Sequence, residues 1–446
     1  RRWRGLWKLA WRMLGPLYKV NHKMLLRFKL MEQILDLHLH SRFSRACSAS
    51  LTLPNIEQAC IRKGVDIVGT ADFTHPQWFK EMEEQLVEIG HSGLYHLAER
   101  PDSPIKFLLS TEVALIYKQG DKVRRLHIVI HAPNLEAVRL FNQTLLGRGC
   151  NLKSDGRPIL GLTAPELVKI CRSINPYFII YPAHIWTPWF SVFGSKSGFD
   201  RLEDCFREET EFIYAYETGL SSDPPMNWRW SALDNLVLLS NSDAHSLSNL
   251  AREANVIDLP GLTYTAFYDI LKNRDKKKII ATLEFFPEEG MYHFDGHRQC
   301  GFGCSPEETK KLHGLCPKCR KPLTIGVLNR VEELADRPVG YRPAEAPDFE
   351  KLVELDKIIA ESLGIASRNS KKVQEVYGEM ITTLGSELTI LRKVKVEEIA
   401  QHFGSCLAQA IERVRRGQLV VNPGFDGQYG QIKIFSPQEK QLLSLF

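Results

Sequence analysis

The chain has 446 residues, with 58 Lys/Arg, 53 Asp/Glu and 43% hydrophobic residues, a length that predicts two or three domains rather than one core. No apolar run reaches the roughly 18 residues of a membrane-spanning helix, so no membrane span is expected. The net charge of +5 is uneven: residues 1–30 carry nine Lys/Arg and no acid, leaving 49 basic and 53 acidic residues elsewhere. Any nucleic-acid contact by the main body must therefore come from local patches and not from a generally basic surface.

The opening segment "RRWRGLWKLAWRMLGPLYKV" sets Trp3, Trp7 and Trp11 at helical spacing beside Arg and Lys, which suits a membrane-surface or targeting helix. The plainer expectation is that Met31 is the natural start and that residues 1–30 are a basic, aromatic extension not native to the protein. From 31 to about 290, strand candidates (Ile34–Leu39, Asp66–Thr70, Lys106–Val113, Leu126–Ile130, Tyr177–Tyr181, Phe212–Glu217 and Leu236–Ser240) alternate with helical stretches such as Asn55–Gly64 and Ala164–Ile174. That alternation predicts an α/β fold with a largely parallel sheet, and seven strands favour a closed, distorted (β/α)7 barrel. A cysteine-bearing insert follows, within 291–325. The segment 326–446 reads as a mostly helical C-terminal domain, with Phe349–Gly364 and Val396–Gly417 at helical period. It closes on the Gly-rich "NPGFDGQYG" (Asn422–Gly430) and a short strand.

Polar residues recur at the strand ends. In "ILDLHLHS" the histidines His38 and His40 alternate with leucines, so they share one strand face about 6.5–7 Å apart. Asp72 ends the next strand with His75 close behind, and Glu112 follows. "RRLHIVIHAP" offers His127 and His131, four residues apart on one face, so that the two cannot share an ion. His184, Glu217, Asp243 and His245 complete the set. A single such residue is an ordinary cap, but seven successive strands ending in His, Asp or Glu point to functional groups gathered at one barrel mouth. Imidazoles with bridging carboxylates suit two or three divalent ions such as zinc, manganese, iron or magnesium. Ions so held lower the pKa of a water and grip the oxygens of a phosphate ester, so phosphoester hydrolysis is the expected chemistry.

With those residues in place, 31–290 resembles a PHP domain, the polymerase and histidinol phosphatase family. The resemblance implies that His38, His40, Glu112 and Asp243 hold one metal, that Glu112 bridges to a second held by His127 and His184, and that Asp72 and His245 take a third. It favours His127 over His131, because the family's histidine precedes a short apolar run. Two departures stand out: "RFSRACS" follows the HxH where many relatives have a further ligand, and Asp72 stands where many have His.

A more specific likeness lies in "AHIWTPWFSVFGSKSGFD" (Ala183–Asp200), "ETGLSSDPPMNWRWSALD" (Glu217–Asp234), "ADFTHP", "NSDAHS" and the cysteine insert. Together these resemble endonuclease Q from about Met31 to the C-terminus. The resemblance implies an endonuclease that cuts damaged double- or single-stranded DNA on the 5′ side of hypoxanthine, uracil, xanthine or an abasic site, with Asp243, Glu112 and His38 as catalytic residues. Trp186, Trp189, Phe190, Phe193 and Trp228 offer flat faces for a flipped base, and Lys196 and Arg229 offer phosphate contacts.

The insert "CGFGCSPEETKKLHGLCPKC" spaces Cys300, Cys304, Cys316 and Cys319 as two knuckles, the pattern of a structural zinc. The other six of the ten cysteines are scattered, which is no disulfide framework and points to a reducing compartment, the cytoplasm. Two other readings share parts of this pattern. A small-molecule phosphatase would use the same metals without the zinc insert or aromatic loops, and a non-catalytic zinc-containing DNA-binding protein would not need Asp243 or His38.

Overall fold

A computed structural model describes residues 32–436 together with 438 and 439; the basic segment 1–30, read above as an extension, lies outside the described residues. The first strand, Glu32–Asp36, pairs in parallel with Ile67–Gly69, which pairs in parallel with Lys106–Leu108. The chain then breaks at Leu109 and continues as Ser110–Gln119, so one run links an eight-stranded sheet to a four-stranded one. Ser110–Gln119 pairs with Lys122–His131, and that strand pairs with Ile179–Pro182. Ala215–Glu217 follows, joined when Ile185 N donates to Glu217 O at 3.1 Å, and it pairs in parallel with Val237–Leu239. The ring closes where Leu39 bridges Ala244 and Asp243 N donates to His38 O at 2.8 Å.

These seven strands form a distorted ring with helices outside it, as the alternation predicts. One direction differs from the expected largely parallel sheet. Lys122–His131 follows Ser110–Gln119 through the tight turn at Gly120 and runs antiparallel to both neighbours, because a connection of two residues can only reverse the chain. Its C-terminal end therefore lies at the opposite mouth from the other strand ends. The sheet also extends past the first strand through Ala254–Asp258 and Ile279–Glu284 to Asp348–Lys351, a strand from the segment read as helical.

The barrel interior is apolar at its base, where Leu35, Leu37, Val129, Tyr181, Val237 and Leu239 are buried. The C-terminal helices, among them Leu355–Ser362, Lys371–Leu384 and Ser405–Arg415, bury Ile358, Ile359, Val373, Met380, Leu407 and Ile411 in a core continuous with that of the barrel helices. The Gly-rich tail loop ties the cysteine insert to the barrel edge: Gly424 N donates to Glu288 O at 2.9 Å and Gly427 N to Met291 O at 3.0 Å, while the Phe425 ring packs on the Gly296 and Gly303 backbone.

Candidate metal centre

Two clusters of ligand atoms meet at Glu112. One oxygen, Oε2, lies 3.6 Å from His38 Nε2 and 3.3 Å from His40 Nε2; Asp243 Oδ1 lies 3.7 and 3.1 Å from the same two nitrogens. The other oxygen, Oε1, is 2.9 Å from His127 Nδ1 and 3.3 Å from His184 Nε2. Ligands about 2.1 Å from a tetrahedral ion stand about 3.4 Å apart, so both clusters have the dimensions of a cation site. In the first cluster the atoms are also free for one: His38 Nε2, His40 Nε2 and Asp243 Oδ1 are buried without any hydrogen-bond partner, and a buried polar atom left unpaired is costly unless something else satisfies it; in the second, His127 Nδ1 and His184 Nε2 lie 3.1 Å from each other. The residues present thus fit two divalent cations that share Glu112.

The surroundings aim each donor. Glu217 accepts from His38 Nδ1 through both oxygens at 3.0 Å, which presents Nε2 to the cluster. Asn241 Nδ2 donates to the same Glu217 at 2.9 Å. Asp72 plays the matching part for His40, with Oδ1 3.1 Å from Nδ1. The backbone bends to deliver three of these groups: Asp72, His184 and Asp243 take φ of 40°, 28° and 45°, left-handed conformations that cost non-glycine residues about 1–3 kcal/mol. Beside His184, Gly219 is obligatory, since a Cβ there would lie 2.3 Å from the His184 Cβ.

Electrostatics concentrates negative charge where the cations would sit. Burial works against ionising Glu112, but His127, Arg157 and His38 outweigh it and hold the carboxyl well below its usual range. Burial is likewise overcome at Asp243, chiefly by His40 and His38. Conversely, Glu217 and Glu112 overcome burial to raise the proton affinity of His38, as Asp72 and Asp243 do for His40. Carboxylates that bind protons this firmly onto two imidazoles attract cations generally.

Several expectations need correction. Asp72 and His245, expected to take a third ion, belong to no group of three or more converging ligand atoms among the described residues. Asp72 Oδ2 already accepts from Ser41 N, Ser41 Oγ and Ser44 Oγ at 2.7, 2.6 and 2.8 Å, so this carboxylate is spent on positioning His40 and its loop. His245 packs its ring on His40 at 4.6 Å and turns Nδ1 to the Asp243 carbonyl. His131 lies at the far mouth because its strand is reversed. There it meets the Tyr181 hydroxyl at 2.9 Å, and burial lowers its pKa to about 3. His75 caps the helix Pro76–Gln85.

The aromatic loops divide. Trp186 is fully buried, with Nε1 donating to Asn227 Oδ1 and its ring against Phe193 and Trp230. Trp228 is buried against Phe349, and Arg229 is buried in an ion pair with Glu332 at 2.6 Å. These three, together with Phe193, are core, contrary to the reading of them as base- and phosphate-binding groups. Trp189 remains 39% exposed, Phe190 packs on the His127 ring at 4.7 Å, and Lys196 is exposed. Of the set, only Phe190 touches a residue of the cluster, while Trp189 and Lys196 are left exposed on the same loop.

In the insert, His297, Cys300, Cys316 and Cys319 bring their ligand atoms within 4.8 Å of one another. Cys304, named above as the fourth ligand, is replaced by His297. Cys304 pairs with Asp295, two residues down the hairpin from the His297–Phe302 pair, a shift of about 7 Å, and its Sγ faces Thr309. The overlooked signal was "HRQC", whose x2 spacing matches that of "CPKC". The sequence puts Glu217 in the strand-end set without a ligand role and gives no sign of Arg157, whose guanidinium reaches Glu112 Oε2 at 3.0 Å. No local pattern marks Arg157, since it arrives from the loop between the helix Leu135–Gly147 and the strand Ile159–Leu160.

A family model described as the MJ0043 C-terminal domain matches residues 354–418. A protein of Methanocaldococcus jannaschii, MJ0043, is 34% identical over 258 residues, 57% of this chain; the chain spans only 32% of that protein's length. Among solved structures, a lesion-specific endonuclease of Pyrococcus furiosus, PfuEndoQ, superposes with a TM-score of 0.79 at 31% identity, covering 93% of this chain and 99% of that one. Endonuclease Q in complex with a 27-mer duplex bearing an abasic lesion at its active site superposes at 0.78 with 32% identity, covering 91% and 97%.

Proposed function

The chain belongs to the endonuclease Q family, and on that footing we propose that it is a metal-dependent DNA repair endonuclease that hydrolyses the phosphodiester 5′ to a deaminated base (hypoxanthine, uracil or xanthine) or an abasic site. The observation that carries the reading is the divided carboxylate of Glu112, with one oxygen facing His38, His40 and Asp243 and the other facing His127 and His184. In this reading two divalent cations, zinc, manganese or magnesium, occupy the two clusters. When bound, such ions supply an acidified water and neutralise charge on the ester oxygens. The chain's own groups do the rest: Glu217 and Asp72 fix the imidazoles, and the carboxylates of Glu112 and Asp243 stay ionised to hold the cations. Trp189, Phe190 and Lys196, on the loop that follows His184, are the groups left to meet an extruded nucleotide. A structural zinc on His297, Cys300, Cys316 and Cys319 keeps the insert folded. Ten unpaired cysteines support a reducing, cytoplasmic setting, and among the described residues no helix is long and apolar enough to cross a membrane.

The test is nicking of labelled duplexes and single strands carrying one abasic site, uracil, inosine or no lesion, beside a phosphomonoester. The proposal expects incision 5′ to the lesion and little turnover of the monoester. Turnover of the monoester with all DNA intact would replace this reading with a small-molecule phosphatase.

A further inference from the structure

We propose that Arg157 is a phosphate-binding residue that grips the scissile phosphate beside the Glu112 cluster, an inference that deepens the phosphodiesterase reading and rests on it. The loop that carries Arg157 is built against the metal centre from both sides. Gly156 N donates to Phe43 O at 3.0 Å, Gly156 O accepts from Thr74 Oγ1 at 3.3 Å, and Pro158 O accepts from Ala114 N at 3.0 Å. These contacts tie it to the segments bearing His40, Asp72 and Glu112. Gly156 itself admits no side chain, because a Cβ would fall 2.2 Å from Asp72 Oδ2 and 2.3 Å from Ser44 Oγ. Asp155 Oδ1 fastens the turn, accepting from Arg157 N at 3.0 Å and Arg45 N at 3.2 Å. So tight a junction delivers one functional side chain to the cavity, and that side chain is Arg157.

Its guanidinium is only partly used. Among the described residues its one side-chain hydrogen bond runs from Nη1 to Glu112 Oε2 at 3.0 Å, although a guanidinium has five donors in a planar fork. The side chain keeps 23% of its surface exposed, so the remaining donors are within reach of a bound molecule. Arg229, by contrast, is spent on Glu332. The charge arrangement selects the ligand. Glu112 Oε2 is the oxygen that faces His38 and His40, so a cation bound there would sit next to the guanidinium. Two adjacent positive groups on one carboxylate oxygen are stabilised by an anion that touches both, and a phosphate oxygen pair matches the arginine fork.

The experiment compares the full chain, reconstituted with manganese, with Arg157→Ala and Arg157→Lys. Three quantities are read: metal content by mass spectrometry, affinity for inorganic phosphate by calorimetry, and turnover of bis(4-nitrophenyl) phosphate, a diester without a lesion. Metal content should be unchanged in both variants. In Arg157→Ala, phosphate affinity should fall about tenfold and kcat/KM roughly 100-fold, with partial recovery in Arg157→Lys, which keeps the charge without the fork. Loss of metal in Arg157→Ala would make the residue a support for Glu112 and overturn the proposal, as would wild-type phosphate binding in that variant or no phosphate binding by the wild type. Because neither probe carries a lesion, failure on damaged DNA with success here would sink only the substrate reading.

Discussion

Both carboxylate oxygens of Glu217 lie 3.0 Å from Nδ1 of His38. A histidine whose Nδ1 is committed in this way presents Nε2 in one tautomer and one orientation. Glu217→Ala should therefore lower metal occupancy of the barrel and reduce turnover by about 10–100-fold, while Glu217→Gln, which can still accept from Nδ1, should lose less. Metal analysis of the purified variants beside kcat checks this. Full occupancy with reduced kcat would assign Glu217 another role.

Trp186 and Trp189 come from one aromatic loop but have opposite fates. Trp186→Ala should destabilise the fold by about 3–5 kcal/mol, because a fully buried indole leaves a cavity. Trp189→Ala should leave the midpoint of chemical denaturation nearly unchanged and weaken binding to an abasic-site duplex in anisotropy titrations. Equal destabilisation by the two changes would contradict this division.

The insert gives a clean ligand swap. His297→Ala should release the zinc and unfold the insert, whereas Cys304→Ser should retain it, since Cys304 Sγ faces Thr309 and not the His297 cluster. Zinc content together with protease sensitivity of residues 291–325 distinguishes the outcomes; zinc loss in Cys304→Ser alone would restore the four-cysteine site.

Acid should weaken the C-terminal helices through Glu354. Burial favours its neutral form, but Lys357 at 3.0 Å and Arg368 at 3.1 Å outweigh that and lower its pKa to about 2. A folded pKa below the unfolded value of about 4.3 gives stabilisation that is complete above pH 4.3 and lost as pH falls toward 2, on the order of 2–3 kcal/mol. Glu354→Gln should thus be less stable than wild type at pH 6 and approach it at pH 2.5 in thermal unfolding. A gap independent of pH would show that the ion pairs are not its cause.

Much of the site was legible because strand geometry is local. The period of two puts His38 and His40 on one face, and the ends of parallel strands bring Glu112, His184 and Asp243 to one mouth. Direction was less legible. His127 and His131 are equivalent by period, and only the reversal at Gly120 decides that His127 faces the cations while His131 meets Tyr181. Burial of an aromatic loop depends on what the rest of the chain lays over it, so Trp186 and Trp189 looked alike. Arg157 and Asp72 show the same limit from the other side: their roles come from which atoms reach Glu112 and His40, and that is set by loops distant in sequence.

The central claim is that Glu112 organises two cation sites in one barrel mouth. Counting metal ions per chain by mass spectrometry, for wild type and Glu112→Gln after dialysis against trace manganese, tests it most directly. The account predicts at least two barrel ions beyond the zinc of the insert in wild type and loss of both in the variant, with incision of an abasic-site duplex lost in parallel. Retention of both ions without the Glu112 carboxylate would contradict it.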